Sequence, residues 1–408
     1  MSGNAWELVD LVARWIHVIA GIMWVGNSLL YNWLDRNLRP AAGATQTPKP
    51  VGNIWLLHSG GFYYVEKTLL DGAPLPQPLH WFRWQAYTTW WSGLALLLVV
   101  YYAGGRAVLE DSSIAALTHA QGVLVGAGAI LCGWAIYEGA NRFLAPRVPR
   151  FASLLWLAGL TVIAICLTQL LSGRAAFLHV GAMLGTIMAA NVVLTIVPSQ
   201  RILVASVAGG HGGDPAVSAR AKRVSIHNNY FTFPVIVLMV SGHFAAVHDG
   251  SANWIMMLVL IAGGAAVRHI LNARFGWSAW KPALAATMVA TVALVFMLLE
   301  MPRWGAAPAP VDTGTGAGAA PVSFADARHI IDRRCGACHS AHPSDLTFGA
   351  APVGVKFDTP EQIVAMAPRI YQRAVVLRTM PAGNKTMITS EERAILGRWF
   401  EQGAKVAP

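Results

Sequence analysis

The residues with the most recognisable chemistry lie near the C-terminus, where the chain reads CGACH over residues 335–339. In a Cys-x-x-Cys-His motif the two thiols form thioether bonds to a porphyrin, and the histidine becomes an axial ligand of its iron. The spacing places both sulfur atoms and the imidazole on one side of a helical turn. The motif therefore predicts a haem c attached to Cys335 and Cys338, with His339 on the iron.

Two other uses of a cysteine pair match part of this motif. A thioredoxin-like redox pair would also be Cys-x-x-Cys, but it would belong to a strand-helix-strand unit and would not need His339. A zinc site would need more cysteine or histidine ligands nearby than His329 and His342 supply. Haem c is the interpretation that uses all three residues of the motif.

The iron of haem c needs a second axial ligand, and three methionines follow the motif, namely Met366, Met380 and Met387. Met366 falls in a helix-like stretch. Met380 lies in RTMPAGN, where a proline and a glycine favour an extended loop that can place the thioether against the haem face. We expect Met380 to be the second iron ligand.

The residues before the motif have the composition of a membrane protein. Hydrophobic residues make up 55% of the whole chain and charged residues only 12%, whereas soluble domains carry roughly a quarter charged residues. Eight segments are long and apolar enough to cross ~30 Å of hydrocarbon as helices. They are 9–33, 81–103, 118–141, 151–172, 175–198, 227–247, 253–273 and 282–302.

Loop charge predicts the orientation of these segments. Arginine and lysine concentrate in the loops after the first, third, fifth and seventh segments, as at Arg36, Arg142, Arg201 and Arg274. By the positive-inside rule those loops are cytoplasmic, so both termini face the periplasm, the compartment in which haem c is attached. The net charge of +10 belongs to these loops; no long Lys/Arg run indicates a nucleic-acid partner.

The chain therefore divides into three predicted parts. Residues 1–303 form the membrane domain, residues 304–321 are a Gly/Ala/Pro-rich linker, and residues 322–408 form a soluble domain. The predicted fold class is all-α: an eight-helix transmembrane bundle followed by a small periplasmic α-helical cytochrome c domain. The predicted location is the inner membrane of a bacterium, crossed several times.

Histidines inside the predicted spans are functional candidates, because burying an ionisable residue in a membrane is costly. His17, His119, His179 and His243 fall in the outer halves of four separate segments. Neutral imidazole ligates haem, so the set predicts at least one haem b, with His17 as first choice and His179 and His243 next. Alternatively, each histidine only forms a hydrogen bond to a neighbouring helix.

A second polar set lies at the cytoplasmic ends of the predicted helices. Arginine can pair with an anion, asparagine offers donors and acceptors, and aromatic rings stack on flat rings. The set suits a planar anionic heterocycle, although such residues at helix ends also serve as interface anchors. The candidate substrate-binding residues are Arg83, Tyr87, Asn191, Asn228, Asn229 and Arg268.

Four stretches carry a resemblance to a known family. They are HVIAGIMWVGNSLLYNWLDRNL (17–38), HWFRWQAYTTWWSG (80–93), GTIMAANVVLTIVPSQ (185–200) and HNNYFTFPVIVLMVSGH (227–243). Followed by the linker and CGACH, they resemble the bacterial membrane-bound, cytochrome c-linked urate hydroxylase (urate oxidase) family over nearly the whole chain. The resemblance implies oxidation of urate to 5-hydroxyisourate in purine degradation, with electrons leaving through haem c to a terminal oxidase.

The residue types are compatible with such an oxidation. Removing two electrons from urate gives dehydrourate, which water attacks at C5, so a metal centre that accepts electrons suffices. The sequence has no dinucleotide-binding glycine motif after a strand and no evident non-haem iron triad. A base would have to deprotonate urate or water, and the candidates are His80, His227, His269, Glu66 and Glu138.

Two other functions use parts of the same pattern. An electron-transfer subunit, carrying charge from quinol or a dehydrogenase to an oxidase, would have no substrate, and the cytoplasmic polar set argues against it. A haem or metal transporter with a cytochrome sensor is suggested only by analogy in the first helix. The expected partners are urate, membrane lipid and a periplasmic electron acceptor or cytochrome c oxidase. The oligomeric state stays open, a homo-oligomer included.

Overall fold

A computed structural model describes residues 3–40, 49–70, 74–103, 109–111, 114–211, 214–248, 250, 252–300, 322–345, 351–376 and 378–406. The described part of the chain is mostly helical. The predicted linker, residues 304–321, lies outside the described residues.

Helices dominate the N-terminal three quarters of the chain. They are α1 (Gly3–Asn37), α2 (Trp84–Leu96), α3 (His119–Gly139), α4 (Pro149–Leu170), α5 (Gly173–Ala190), α6 (Val197–Ala208), α7 (Pro215–Ser241), the single turn α8 (Ala245–His248), α9 (Asn253–Ala273) and α10 (Trp280–Glu300). α2, α3 and α5 continue directly into π-helical turns at Leu97–Tyr102, Ala140–Leu144 and Asn191–Ile196. The last of these turns leads without a break into α6.

Seven helical stretches among the described residues are long and apolar enough to cross a membrane: Leu8–Asn37, His119–Leu144, Pro149–Leu170, Gly173–Ala208, Pro215–Ser241, Asn253–Ala273 and Trp280–Glu300. They match seven of the eight predicted segments and support a multi-pass membrane protein. The remaining prediction, 81–103, is helical from Trp84 to Tyr102 but is not among the seven. Its N-terminal half carries Gln, Thr, Tyr and Trp side chains in place of aliphatic ones.

A β-hairpin lies between α1 and α2, so the all-α prediction is wrong for this segment. Strands β1 (Lys49–His58) and β2 (Gly61–Leu69) pair antiparallel. Ser59 and Gly60 have φ values of 50° and 77°, and positive values at both positions are typical of a two-residue type I′ turn. The signal was present in the sequence as a Ser-Gly pair between two runs rich in aromatic and branched residues.

The core of the bundle is built around α5, whose Phe177, Val180, Leu184 and Ile187 are all at most 1% exposed. α3 packs against α5 through one face, and its buried residues are Gly122, Gly126, Ile130, Gly133 and Tyr137. A Cβ atom on Gly126 would overlap the imidazole of His179, and one on Gly133 would overlap the side chain of Met183. The glycines therefore let two helices approach closely, as small residues do in membrane bundles.

The C-terminal region has its own helical core. It contains α11 (Phe324–Arg334), α12 (Pro360–Ile370), which continues as a π-helical turn over Tyr371–Val376, and α13 (Ser390–Glu401). Ile331, Ile363, Leu396 and Trp399 are at most 2% exposed and belong to one hydrophobic cluster. Each of the three helices begins with a capping box, which satisfies the amide groups at its N-terminus.

The close approach of α3 and α5 generates a first prediction. Gly126→Ala should lower the midpoint of thermal unfolding in detergent, because the new methyl group forces His179 away from α3 at a cost of about 1–3 kcal/mol. Gly128→Ala is the matched control, since nothing lies within 4 Å of a Cβ at Gly128. Equal midpoints for the two variants would contradict this packing.

Candidate functional site

The polar residues in the interior of the bundle meet at the N-terminal half of α7. Arg220 and His227 contact α3, Asn228 contacts the π-helical turn after α5, and Asn229 and Tyr230 contact α9. Consecutive residues of a helix point in different directions, so one segment of α7 reaches three neighbours. The contacts form two chains of hydrogen-bonded side chains, described below, and two separate side-chain pairs.

The first chain has a defined direction because it ends on a backbone carbonyl. Asn228 donates through Nδ2 to the carbonyl oxygen of Met188 at 3.0 Å, so its Oδ1 faces Asn191, which donates at 2.8 Å. Asn191 Nδ2 also donates to the Tyr137 hydroxyl at 3.0 Å. That hydroxyl lies 2.8 Å from Nδ1 of His227 and can donate its own proton there.

The tautomer of His227 depends on which group donates in its contact with Tyr137. With Nδ1 accepting from Tyr137, a neutral His227 carries its proton on Nε2 and offers it as a donor. It would act as a base only in the opposite tautomer. In this arrangement the imidazole is suited to holding an oxygen atom of a ligand rather than to removing a proton.

The second chain joins α7 to α9. Arg268 donates through Nε to Oδ1 of Asn229 at 3.0 Å, and Asn272 donates through Nδ2 to the same oxygen at 2.7 Å. All three side chains are buried, with Arg268 only 5% exposed. A guanidinium this deeply buried is costly unless it is paired with an anion or fully hydrogen-bonded.

Two more candidate residues, Glu138 and His269, each form a separate side-chain pair beside these two chains. Glu138 accepts a hydrogen bond from Arg220 at 3.2 Å, so its carboxylate already has a cationic partner. His269 is exposed, and its Nδ1 lies 2.8 Å from the hydroxyl of Tyr230. The structure thus brings Asn191, His227 and Asn228 into one chain and Asn229 and Arg268 into another, whereas Glu138 and His269 form separate pairs.

The remaining candidates are less closely grouped. The guanidinium of Arg83 lies between the rings of Trp81 and Trp84, 5.7 and 5.8 Å from their centroids. Tyr87 packs against a small cluster that includes Val192 of the π-helical turn after α5. His80 is exposed. Glu66 lies exposed on β2, where its carboxylate accepts hydrogen bonds from the hydroxyl groups of Tyr64 and Thr68.

Sequence reasoning missed Tyr137 and Asn272. Asn272 follows Arg268 by four residues, a spacing that places both on one helix face and could have identified it. Tyr137 directly precedes the predicted candidate Glu138, but nothing in the sequence links it to His227, which is 90 residues away. That pairing depends on how α3 and α7 pack.

The four membrane histidines differ in the nitrogen atoms they leave available. His17 Nδ1 lies 2.9 Å from the carbonyl oxygen of Thr89, so it carries the proton, and Nε2 has no hydrogen-bond partner among the described residues. This is the usual arrangement of a histidine ligand, whose second nitrogen donates to a carbonyl. His243 is exposed and without a side-chain partner in the described part of the chain.

His119 and His179 have both ring nitrogens engaged. His119 contacts Glu110 at 2.7 Å through Nδ1 and the carbonyl oxygen of Tyr102 at 2.8 Å through Nε2. His179 contacts the carbonyl oxygen of Ala175 at 2.7 Å and the hydroxyl of Tyr102 at 3.1 Å. In this arrangement neither histidine offers a free nitrogen to iron, and they match the hydrogen-bonding alternative better.

The cysteine motif directly follows α11. The amide groups of Cys338 and His339 both donate to the carbonyl oxygen of Cys335, which closes a helical turn. His339 Nδ1 lies 3.0 Å from the carbonyl oxygen of Val355, so Nδ1 carries the proton and Nε2 is the nitrogen suited to iron. Both cysteines are free.

The loop that carries Met380 is tied to the cysteine motif. Arg334, immediately before Cys335, donates to the carbonyl oxygen of Thr386 at 2.6 Å, and Lys385 pairs with Asp345 at 2.7 Å. The buried Arg393 donates to the carbonyl oxygen of Met380 at 2.8 Å.

The two other methionines are placed differently. Met366 packs against the hydrophobic cluster of the C-terminal region. Met387 is 67% exposed. The assignment of Met380 as an iron ligand stays a prediction.

The comparison with known families covers the helical region that holds the two hydrogen-bonded chains. The sequence model of the urate oxidase N-terminal family matches residues 3–300. The chain belongs to this family. No curated protein and no solved structure matches the chain. Family membership supports a urate-related oxidation and an oxidoreductase activity, and the match ends before the cysteine motif.

The pKa values of the two cysteine thiols bear on whether the pair is a catalytic dithiol. Burial, and the negative charge that Cys338 would carry as a thiolate, raise the pKa of Cys335 to about 12. Burial and the neighbouring Asp345 raise the pKa of Cys338 to about 11. A catalytic dithiol instead needs a lowered thiol pKa.

These shifts predict how the haem-free protein reacts with iodoacetamide. Alkylation of Cys338 should be slow at pH 8 and rise about tenfold per pH unit toward pH 11, because only the thiolate reacts. The neutral thiols stabilise the fold below the unfolded pKa of about 8.5, and this contribution is lost as the pH rises toward 11–12. Mass spectrometry of the peptide, with urea-unfolded protein as control, tests this. A plateau near pH 9 would contradict it.

Proposed function

We propose that this chain is a membrane-bound urate hydroxylase that oxidises urate to 5-hydroxyisourate and passes the electrons to a haem c in its own C-terminal domain. The observation that carries the proposal is the joining of two parts in one polypeptide. Residues 3–300 match the urate oxidase N-terminal family, and residues 335–339 form a Cys-x-x-Cys-His motif. The first part supplies the substrate chemistry and the second supplies an electron acceptor.

The proposed reaction balances without dioxygen. Urate and water give 5-hydroxyisourate, two protons and two electrons, and the new oxygen at C5 comes from water. Because a haem accepts one electron at a time, the two electrons leave in two successive transfers. The protein must therefore hold urate, take up two protons and exclude other nucleophiles from C5.

The polar residues around α7 are the proposed substrate region. His227, with its proton on Nε2, is suited to donate to a carbonyl oxygen of urate, and Asn191 and Asn228 fix its orientation through Tyr137. The base that deprotonates urate or water is proposed from the remaining candidates. Of these, His269 is exposed and Glu138 is already paired with Arg220.

The C-terminal residues fit a covalent haem. Cys335 and Cys338 would form the thioethers, His339 Nε2 would bind the iron, and Met380 would be the second axial ligand. When bound, the haem would supply a one-electron acceptor. The chain's own contribution is orientation, since Val355 fixes the ring of His339 and Arg393 fixes the loop of Met380.

A haem b within the membrane helices would shorten the distance between urate and haem c. His17 is the ligand that the hydrogen bonding supports, because Thr89 holds its Nδ1 and Nε2 is free among the described residues. His243 is the proposed partner, since His119 and His179 already use both ring nitrogens.

The proposed location is the bacterial inner membrane, with eight crossings and with both termini and the cytochrome domain in the periplasm. Loop charges support this orientation, and the seven apolar helices support the membrane itself. The proposed partners are urate on the cytoplasmic side and an electron acceptor or cytochrome c oxidase on the other.

Anaerobic mixing of urate with the oxidised, purified protein tests the reaction. We expect urate alone to reduce the haem, and the product formed in heavy-oxygen water to carry the label at C5. An electron-transfer subunit without its own substrate would not be reduced by urate. Absence of reduction, or label that enters the product only from dioxygen, would refute electron removal followed by hydration.

A pyridine haemochrome assay tests the cofactors. We expect both c-type and b-type haem in the purified full-length protein, with the c-type haem lost in a Cys335→Ser/Cys338→Ser variant. Met380→Ala should keep the covalent haem but change its low-spin spectrum and lower its reduction potential. An unchanged spectrum would move the second ligand elsewhere, and fully active protein with only c-type haem would exclude the membrane haem.

A further inference from the structure

Arg268 is a buried cation without a carboxylate partner in the described part of the chain. Its side chain is 5% exposed, and the hydrogen bond it makes there runs from Nε to Asn229. Among the described residues no carboxylate pairs with it, and its two terminal nitrogens have no hydrogen-bond partner. The guanidinium also lies over the ring of Phe233, 5.6 Å from the ring centroid.

The charges around Arg268 increase the cost of burying its guanidinium. Two further cations, Arg36 and Arg274, act on it electrostatically. The partial negative charge at the C-terminal end of α9 offsets only a small part of the cost of burying an unpaired cation. A ligand that brings a negative charge would remove this imbalance.

The neighbouring amide groups determine a second feature of that ligand. Arg268 Nε can only donate, so it must face the oxygen of Asn229, and Asn272 must then present its Nδ2 to the same oxygen. This leaves Oδ1 of Asn272 as a buried acceptor without a partner in the described part of the chain. An acceptor in this position requires a hydrogen-bond donor, such as the N–H group of a ligand.

We propose that Arg268 and Asn272 together bind the imide edge of an anionic oxopurine, with the Arg268 fork on a carbonyl oxygen and Oδ1 of Asn272 accepting from the adjacent ring N–H. The inference rests on the proposed urate oxidation and identifies the residues that select its substrate. Near neutral pH urate is a planar monoanion whose carbonyl groups alternate with ring N–H groups, so it supplies both requirements.

The same pair discriminates against other anions. Inorganic phosphate and lipid phosphodiesters can pair with a guanidinium, but a phosphodiester has no proton to donate to Asn272. A neutral purine would satisfy Asn272 while leaving Arg268 without a charge partner. A ligand that combines an anionic character with a hydrogen-bond donor, as urate does, satisfies both side chains at once.

Urate binding to the prereduced full-length protein tests the proposal, because prereduction prevents turnover during the measurement. Arg268→Gln should weaken binding on the order of a hundredfold, and Arg268→Lys, which keeps the charge but loses the fork, on the order of tenfold. The matched control is Asn253→Ala. Asn253 and Asn272 lie on the same helix and are each 7% exposed, but Asn253 donates to the carbonyl oxygen of His248.

N-methylated urates test the role of Asn272 directly. One monomethyl urate should bind the wild-type protein on the order of tenfold more weakly than urate, because methylation removes the N–H that Asn272 accepts. In Asn272→Ala this penalty should fall below about threefold, whereas Asn253→Ala should retain it.

The outcomes separate the two proposals. A wild-type protein that neither binds urate nor is reduced by it would overturn the proposed function and this inference together. Normal reduction by urate with unchanged affinity in Arg268→Lys and Asn272→Ala would overturn the inference alone. Competition by phosphate or by anionic lipid vesicles that matches urate in strength would assign Arg268 to a phosphate group instead.

Discussion

A polar side chain inside a membrane bundle has to find its partner on another helix, because hydrocarbon offers none. In this protein the N-terminal half of α7 carries most of that requirement. Its side chains bond to α3, to the π-helical turn after α5 and to α9. A close contact reinforces the last pairing, since Gly264 of α9 approaches the backbone at Pro234 of α7. The position of α7 therefore fixes the relative placement of its three neighbours.

The helices were predictable because apolar length is a strong signal in a membrane protein. The hairpin was not, since a search for apolar segments long enough to span a membrane overlooks two strands whose aromatic side chains are exposed. Trp55 and Phe62 are 65% and 75% exposed in the described structure. The available signal was the Ser-Gly turn, which is a local feature. A search based on the length and hydropathy of segments does not detect it.

The candidate site was predictable in its residue types but not in its pairings. The polar set in the cytoplasmic parts of the predicted helices pointed to Asn191, Asn228, Asn229 and Arg268 without structural information. Which amide oxygen faces which donor depends on the packing of helices far apart in the sequence. For the same reason the sequence could not predict the contact between His227 and the hydroxyl of Tyr137.

Each π-helical turn makes the orientation of the helix that follows it depend on the number of residues in the turn. A turn of this kind holds about one residue more than an α-helical turn, so everything after it is rotated by about 100° relative to an uninterrupted helix. Asn191–Ile196 stands between α5, whose His179 and Met183 face α3, and α6. Losing a single residue there would turn α6 to another side of its axis while leaving α5 in place. The number of residues in this turn therefore determines which side chains of α6 face the rest of the bundle.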